Sequence, residues 1–208
     1  MSVKNSEQAK FLAKSNPFCS ERVNQIPFRF ESGNWITNLK RLAQMKYRGA
    51  IVGPKGSGKT TLLAQLENHI NRDTNREAFL VFFYPDEKDQ YQSLLDQGIR
   101  ENHKGKILLI DGIDKISLKQ KFQLFRALSK REGLVVCTHR PMLLPPFNLP
   151  TWIKTSPSEL LLDYVLAELK MSSPEVRAAG QAAYQKHRGN IRDVLRDLYD
   201  RHSSLRFK

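Results

Sequence analysis

The feature that most constrains this chain is a glycine-rich segment of eight residues that lies between an apolar stretch and a helix-forming one. The segment fits the phosphate-binding pattern G-x-x-x-x-G-K-[ST] and consists of Gly53, Pro54, Lys55, Gly56, Ser57, Gly58, Lys59 and Thr60. Apolar residues 49–52 predict a strand before it, and residues 61–67 favour a helix after it. This strand–loop–helix context is the one in which the motif binds phosphate.

The chemistry of the loop predicts a nucleoside triphosphate and Mg²⁺ as its ligands. Glycines lack a Cβ, so the backbone can turn closely around phosphates while its N–H groups point inward. We expect Lys59 to reach the β- and γ-phosphates, the Thr60 hydroxyl to ligate Mg²⁺, and Thr61 to complete the binding residues. The alternative is a glycine-rich turn that binds nothing, which the agreement of motif and context disfavours.

Composition narrows the class of protein. A chain of 208 residues with 40% hydrophobic residues can form one main domain and a small appended one. Two cysteines, Cys19 and Cys137, make no disulfide framework and indicate a reducing, cytoplasmic environment. The longest apolar run, residues 78–84, is too short to cross a bilayer, and residues 1–7 show no signal-peptide stretch.

The charge of the chain is unusual for a small domain. Thirty-four Lys and Arg against 21 acidic residues leave a formal net charge of +13. A field of this sign attracts polyanions, so nucleic acid is the expected partner and an anionic membrane surface a weaker one. Charge alone identifies no site, and a basic surface without a polyanionic partner stays open as the alternative.

The hydrophobic pattern predicts an α/β fold, a doubly wound parallel sheet that forms a P-loop core, followed by a small C-terminal helical lid. Continuous apolar runs predict strands buried on both faces at Ala50–Gly53, Phe79–Tyr84, Ile107–Asp111, Leu134–Thr138 and Trp152–Thr155. Helices are expected near residues 35–47, 59–70, 88–101 and 118–130, and then at 161–169, 174–186 and 191–199. We therefore predict a basic N-terminal arm over residues 1–30, the ATPase-type core over 31–156 and the lid over 157–208.

The second nucleotide-binding motif is the strand that ends at Asp111. In open α/β sheets the ligand lies at the carboxyl ends of the strands, so Asp111 is expected beside the P-loop. There it would hold Mg²⁺ through water, opposite Thr60. The alternative is that Asp111 only caps a helix or turn. Its position about 50 residues after the loop favours the magnesium-binding role.

Two arginines are candidate sensors of the bound nucleotide. Thr138 or Arg140 can sense the γ-phosphate if their strand lies between the P-loop strand and the Asp111 strand. Arg192 begins the last helix, opposite its apolar stripe, and Asn190 is expected to cap that helix. The alternatives are a surface Arg140 in a turn begun by Pro141, and an exposed Arg192 paired with Asp193 or Asp197; these alternatives remain open.

These motifs together resemble P-loop ATPases of the AAA+/STAND group over about residues 30 to 205. Residues 111–114, D-G-I-D, resemble the D-G-h-D motif of NACHT-type STAND ATPases, and residues 138–141, T-H-R-P, resemble their T-[ST]-R-P sensor. Residues 189–192, G-N-I-R, look like sensor 2 of AAA+ initiator and loader ATPases. The resemblance implies ATP binding coupled to lid movement, with nucleotide-dependent homo-oligomers.

The chain also departs from that group. Many AAA+ members carry Glu directly after the magnesium Asp, to orient the attacking water, and this chain has Gly112. Asp114 is the nearest acidic substitute, and Lys115 follows where the NACHT pattern often has Glu. Losing a well-placed base lowers the rate by a factor of about 10²–10⁴. No arginine finger is evident in the sequence, and Arg140 and Arg131 are candidates for it.

Three functions are consistent with these features. The first is an ATP-binding and ATP-hydrolysing switch that acts on a macromolecule, with DNA favoured by the net charge and the loader-like lid. The second, favoured by Gly112, is an ATP-gated signalling or scaffolding module with little or no hydrolysis. The third is a small-molecule kinase, which the position of the lid after the last strand disfavours.

Overall fold

The computed structural model describes residues 15–83, 106–128, 132–142 and 148–204. Within them the chain forms two compact units. The sheet unit holds residues 28–53, 58–83, 106–128, 132–142 and 148–155, and the helical unit holds residues 15–27, 54–57 and 156–204. Among the described residues no helix is long and apolar enough to cross a membrane.

The sheet unit is built on five parallel strands in the order β2-β3-β4-β1-β5. They are β1 Arg48–Val52, β2 Glu77–Phe82, β3 Lys106–Asp111, β4 Gly133–Thr138 and β5 Thr151–Lys154. All five strands were expected at these places in the sequence, and the α/β fold with a parallel sheet is confirmed. The strand that ends at Thr138 was required to lie between the P-loop strand and the Asp111 strand, and β4 does lie between β1 and β3.

Seven helices and one 3₁₀ turn are described. The helices are α1 Ser20–Val23, α2 Trp35–Gln44, α3 Lys59–Asp73, α4 Leu118–Ala127, α5 Glu159–Glu168, α6 Pro174–Lys186 and α7 Ile191–Ser203, and the turn covers Ile113–Lys115. The capping box expected at Ser117 and Gln120 is present at the start of α4. The helix predicted at 88–101 lies outside the described residues.

Burial on both faces explains why the central strands are continuous apolar runs. In β3, Leu108 and Ile110 belong to one apolar cluster, while Ile107 and Leu109 belong to another. Successive side chains of a strand point to opposite faces, so both faces of the sheet are covered. Every residue of β4 is buried. This double coverage fixes the register that aligns the carboxyl ends of β1, β3 and β4.

The helical unit packs α5, α6 and α7 around its own apolar cluster. The buried residues of α7 are those of the expected stripe: Ile191, Val194, Leu195 and Leu198. Asp197, on the same helix, receives hydrogen bonds from Lys186 at 2.8 Å and Arg201 at 2.8 Å. These two charged donors, together with His187, lower the pKa of Asp197 well below its usual range.

The N-terminal segment differs from the expected loose arm. From residue 15 to residue 27 it belongs to the helical unit, where Phe18 is 4% exposed and Ile26 is 8% exposed in the apolar cluster. The Asn16 side chain donates to the carbonyl oxygen of Tyr199 at 3.0 Å and to Ser203 Oγ at 2.9 Å. Single apolar residues in a polar segment give no periodic signal, so the sequence pattern did not indicate this packing.

Replacing Phe18 tests whether the N-terminal segment is part of the folded protein. We expect Phe18→Ala to lower the free energy of unfolding by about 3 kcal/mol, since a buried aromatic side chain is lost. Urea denaturation measures the change, and Phe122→Ala is the matched control because Phe122 is 49% exposed on α4. A Phe18→Ala protein as stable as the control would contradict the docking of this segment.

Candidate functional site

Two glycines of the P-loop have the positive-φ backbone conformation that glycine allows. Gly56 and Gly58 have φ values of +75° and +85°, a region that L side chains rarely adopt. The Lys59 ammonium donates a hydrogen bond to the carbonyl oxygen of Gly53 at 2.8 Å, and Ser57 Oγ donates to the carbonyl oxygen of Pro54 at 2.8 Å. Because α3 begins at Lys59, the loop leads directly into a helix N-terminus, which favours anions.

Gly56 is also constrained by a close neighbour within the helical unit. A Cβ built at Gly56 would collide with the Asn190 side chain and lie 2.8 Å from the backbone nitrogen of Ile191. The loop therefore contacts the start of α7 so closely that a side chain at Gly56 cannot be accommodated without a shift. Glycine is required at this position for its backbone conformation and for this contact.

Asn190 is the N-cap residue of α7, as the sequence suggested, but its side chain makes no capping hydrogen bond. Its Nδ2 donates to Asp193 Oδ2 at 2.6 Å. Its Oδ1 is buried and has no hydrogen-bond partner among the residues that the structure describes. A buried amide oxygen without a hydrogen-bond donor costs free energy. A small local movement that gave Asn190 Oδ1 a donor would remove this cost.

The two nucleotide-binding motifs meet through a hydrogen bond between Thr60 and Asp111. Thr60 Oγ1 donates to Asp111 Oδ2 at 2.6 Å, and the backbone N–H of Gly112 donates to Asp111 Oδ1 at 2.8 Å. Both side chains present oxygen atoms, the ligands that Mg²⁺ prefers. The described residues contain no group of three or more His, Cys, Asp or Glu that could hold a metal alone. Mg²⁺ usually shares its coordination with water and substrate phosphates.

Gly112 occupies a position that excludes larger residues. Its φ is +80°, and a Cβ built there would lie 2.7 Å from the carbonyl oxygen of Phe83. The Glu that many AAA+ proteins carry after the magnesium Asp would therefore require a different backbone at this point. The presence of Gly112 in place of that Glu therefore reflects the local backbone conformation as well as the loss of one side chain.

Asp114, expected as a substitute for that Glu, is bound to the end of β4. Its Oδ2 accepts from the backbone N–H of His139 at 2.8 Å and lies 2.7 Å from His139 Nδ1. Its Oδ1 accepts from Thr138 Oγ1 at 3.2 Å, and Lys121 Nζ lies at 3.9 Å. The carboxylate thus holds the segment after β4 in place, and its oxygens already have partners.

Arg140 and Arg192 are both exposed, and neither forms an ion pair with another described residue. Arg140 follows β4, where its carbonyl oxygen accepts a hydrogen bond from Thr138 Oγ1 at 3.0 Å. Arg192 lies in the first turn of α7. The carboxylates expected to pair with it have other partners, since Asp193 binds Asn190 and Asp197 binds Lys186 and Arg201. The sensor roles remain predictions, and Arg131 lies outside the described residues.

The remaining loop residues have ordinary roles in the loop and the sheet. The backbone N–H of Gly53 donates to the carbonyl oxygen of Thr138 at 3.1 Å, which extends the pairing of β1 with β4 by one residue. Pro54 and Lys55 are exposed, and Thr61 lies half-buried in the first turn of α3. Their contact with a nucleotide stays a prediction.

Sequence reasoning missed two neighbours of the motifs. His139 binds Asp114, and the available signal was that His139 stands where the T-[ST]-R-P pattern has Ser or Thr. The second neighbour is Phe28, whose ring lies 3.2 Å from the position that a Cβ would occupy at Gly58. The backbone N–H of Phe28 donates to Gln65 Oε1 at 2.8 Å. No periodic signal marks Phe28, which precedes the first predicted helix.

The match to a family model agrees with this geometry. Residues 50–149, just under half of the chain, match the model described as "ATPase family associated with various cellular activities (AAA)". The matched segment contains the P-loop, Asp111 and β4. It supports an AAA-type P-loop ATPase core for this part of the chain, whereas the STAND and NACHT resemblance stays a prediction.

Comparison with other proteins adds little to this match. No curated protein sequence matches the chain. The solved structure titled "Structure of C. elegans PCH-2" is similar with 13% identity and a TM-score of 0.48, covering 89% of this chain and 74% of that chain. A similarity of this size supports no functional conclusion.

Removing the Thr60 hydroxyl tests the magnesium assignment. We expect Thr60→Val to bind ATP about tenfold more weakly in the presence of Mg²⁺, since a lost contact of about 1.4 kcal/mol is a factor of ten. Titration calorimetry with Mg²⁺ and with EDTA separates metal-dependent from metal-independent binding. The variant and the natural protein should agree in EDTA, and an undiminished effect of Mg²⁺ in Thr60→Val would contradict the assignment.

Cys137 provides a chemical test of how tightly β4 packs against the start of α3. Its Sγ lies 3.6 Å from the carbonyl oxygen of Lys59, and burial, with the nearby Asp111 charge, raises the pKa of its thiol. In a Cys19→Ser protein we therefore expect no reaction of Cys137 with a thiol reagent at pH 8, and full reaction in urea. Mass spectrometry measures the labelling, and rapid labelling of the folded protein would contradict the packing.

Proposed function

We propose that this protein is an ATP-binding and ATP-hydrolysing molecular switch that acts on a macromolecular partner. The observation that carries the proposal is the 2.6 Å hydrogen bond between Thr60 and Asp111. It joins the P-loop helix to the end of β3, so the first turn of that helix and the carboxylate lie at the carboxyl edge of one parallel sheet, where α/β proteins bind ligands. The family-model match over residues 50–149 supports the same activity.

Each side chain has a defined task in this proposal. The backbone N–H groups of residues 53–58 surround the phosphates, and Lys59 turns from the Gly53 carbonyl oxygen toward the β- and γ-phosphates. Thr60 and Asp111 would hold Mg²⁺, which when bound neutralises charge that develops on the phosphates. Arg140 at the end of β4 is the proposed sensor of the γ-phosphate.

The switching element is proposed to be the helical lid, residues 157–208. Within the helical unit, loop residue Gly56 already contacts Asn190 at the start of α7. If the loop moves when it binds phosphate, Asn190 must therefore move with it. The buried Oδ1 of Asn190 has no hydrogen-bond partner among the described residues. Arg192, two residues further along, is the proposed reporter of the closed state.

DNA is the partner that we favour, as a substrate for loading or remodelling. The support is electrostatic, namely the net charge of +13, and the loader-like G-N-I-R sequence at residues 189–192. Such binding weakens as salt rises, because counterions displaced from the phosphates return. A protein target and nucleotide-dependent assembly with further copies of this chain are the other partners consistent with the family-model match.

A second function is favoured by Gly112. Because a Cβ there would lie 2.7 Å from the carbonyl oxygen of Phe83, the site has no room for the usual glutamate. If no other residue replaces it, the protein would bind ATP and change shape with little turnover. It would then be a nucleotide-gated signalling or scaffolding module.

Steady-state ATP hydrolysis at low salt, with and without duplex or single-stranded DNA, distinguishes the two functions. We expect turnover that DNA stimulates in the natural protein and that Lys59→Ala abolishes, since the variant loses the ammonium that binds the phosphates. Lys40→Ala, which removes an exposed lysine of α2, is the matched control and should behave as the natural protein does.

Other results would each change the assignment. Tight binding of Mg·ATP without turnover would favour the gated module. Turnover that DNA does not affect would argue against DNA as partner. Unchanged ATP affinity and activity in Lys59→Ala would contradict the site itself.

A further inference from the structure

We infer that His139, held in position by Asp114, is the general base of ATP hydrolysis in this protein. The inference rests on the proposed ATPase function and deepens it. It assigns a catalytic role to the second residue of the T-H-R-P segment and a positioning role to Asp114. Three observations carry it: the place of His139 at the sheet edge, the geometry of its contact with Asp114, and the exclusion of a glutamate at position 112.

His139 is close in sequence to two residues that contact the P-loop. It follows Thr138, whose carbonyl oxygen accepts a hydrogen bond from the N–H of Gly53, the first P-loop glycine, at 3.1 Å. It is two residues from Cys137, whose Sγ is 3.6 Å from the carbonyl oxygen of Lys59. Since β4 lies between β1 and β3, His139 emerges at the centre of the edge that carries Lys59 and Asp111.

The contact with Asp114 fixes the imidazole in the form that a base requires. One carboxylate oxygen, Asp114 Oδ2, lies 2.7 Å from His139 Nδ1 and 2.8 Å from the backbone nitrogen of the same residue. A carboxylate only accepts hydrogen bonds, so Nδ1 carries a proton, and Nε2 is the nitrogen that has a free lone pair whenever the ring is neutral. The same division of roles orients the histidine in Ser-His-Asp sites.

Asp114 is itself held, which makes it a suitable positioning residue. Thr138 Oγ1, which shares its one hydrogen with the carbonyl oxygen of Arg140, lies 3.2 Å from the other carboxylate oxygen. The Lys121 ammonium lies 3.9 Å from that same oxygen. The carboxylate therefore keeps one orientation while the His139 side chain stays 42% exposed. A ring with this exposure can exchange protons with solvent.

The site needs such a base because position 112 cannot supply one. A Cβ at Gly112 would lie 2.7 Å from the carbonyl oxygen of Phe83, and the carboxylate of Asp114 is already bound. In the proposed step, His139 Nε2 takes a proton from the attacking water as the water oxygen bonds to the γ-phosphorus. The bond from that phosphorus to the β–γ bridging oxygen breaks, giving ADP and phosphate, and the imidazolium releases its proton to solvent. General base catalysis contributes a factor of about 10²–10⁴.

The decisive variant is His139→Asn, which keeps a side chain able to hydrogen bond with Asp114 but has no basic nitrogen. We expect its kcat to fall about 100-fold while its affinity for Mg·ATP stays within about twofold. The matched control is His69→Asn, because His69 forms a similar pair with Asp73, with Nδ1 2.7 Å from Oδ2, on the distant part of α3. The control should keep its turnover, and the melting temperature of each variant shows whether it is folded.

A second measurement does not depend on turnover. In ¹⁵N-histidine spectra of the natural protein we expect neutral His139 to be protonated on Nδ1. In Asp114→Ala the Nε2–H form should increase as the carboxylate partner is lost, and kcat should fall with it. A natural protein with His139 protonated on Nε2 would overturn the inference, whatever its activity.

The outcomes separate this inference from the proposed function. Turnover in His139→Asn within about threefold of the natural protein would overturn the role of His139 and leave the ATPase assignment intact. Absence of turnover in the natural protein would overturn both and favour the nucleotide-gated module. A fall in ATP affinity equal to the fall in kcat/KM would show that His139 binds substrate and does not act as base.

Discussion

The parallel pairing of β4 with both β1 and β3 is the constraint on which the rest of the structure depends. Each of these strands is apolar over most of its length because both of its faces are covered, and burial on both faces fixes their register. The register brings Gly53, Asp111 and Thr138 to one edge of the sheet. The hydrogen bonds from Thr60 to Asp111 and from Gly53 to Thr138 then connect the two ends of the P-loop to the ends of β3 and β4.

The sequence predicted the parts of the fold that local physics decides. The P-loop, the five strands, the capping box of α4 and the apolar stripe of α7 all follow from residue type and spacing, and the structure has each of them. The meeting of Thr60 with Asp111 could be expected as well, because carboxyl ends of parallel strands share an edge. Strand ends differed by a few residues, as in β2, which begins at Glu77 before the apolar run.

What the sequence did not indicate depends on contacts between distant residues. Phe18 and Ile26 are isolated apolar residues, and only the cluster of the helical unit shows that they are core. Asn190 is a residue type that favours helix N-caps, but its side-chain amide donates to Asp193 and lies against Gly56. Asp114 was a candidate base by spacing, and its hydrogen bonds with the backbone N–H of His139 and with Thr138 Oγ1 were not indicated by the sequence. In each case a tertiary contact replaced the local preference.

The measurement that tests the central claim most directly is hydrogen exchange of the backbone amides with and without Mg²⁺ and a slowly hydrolysed ATP analogue. The account predicts slower exchange in the P-loop, in the first turn of α3 and at the start of α7, because the loop N–H groups bind phosphate and Gly56 contacts Asn190. Peptides from α6 should be unaffected. Unchanged exchange in the P-loop at saturating analogue would contradict the nucleotide site, and with it the function built on that site.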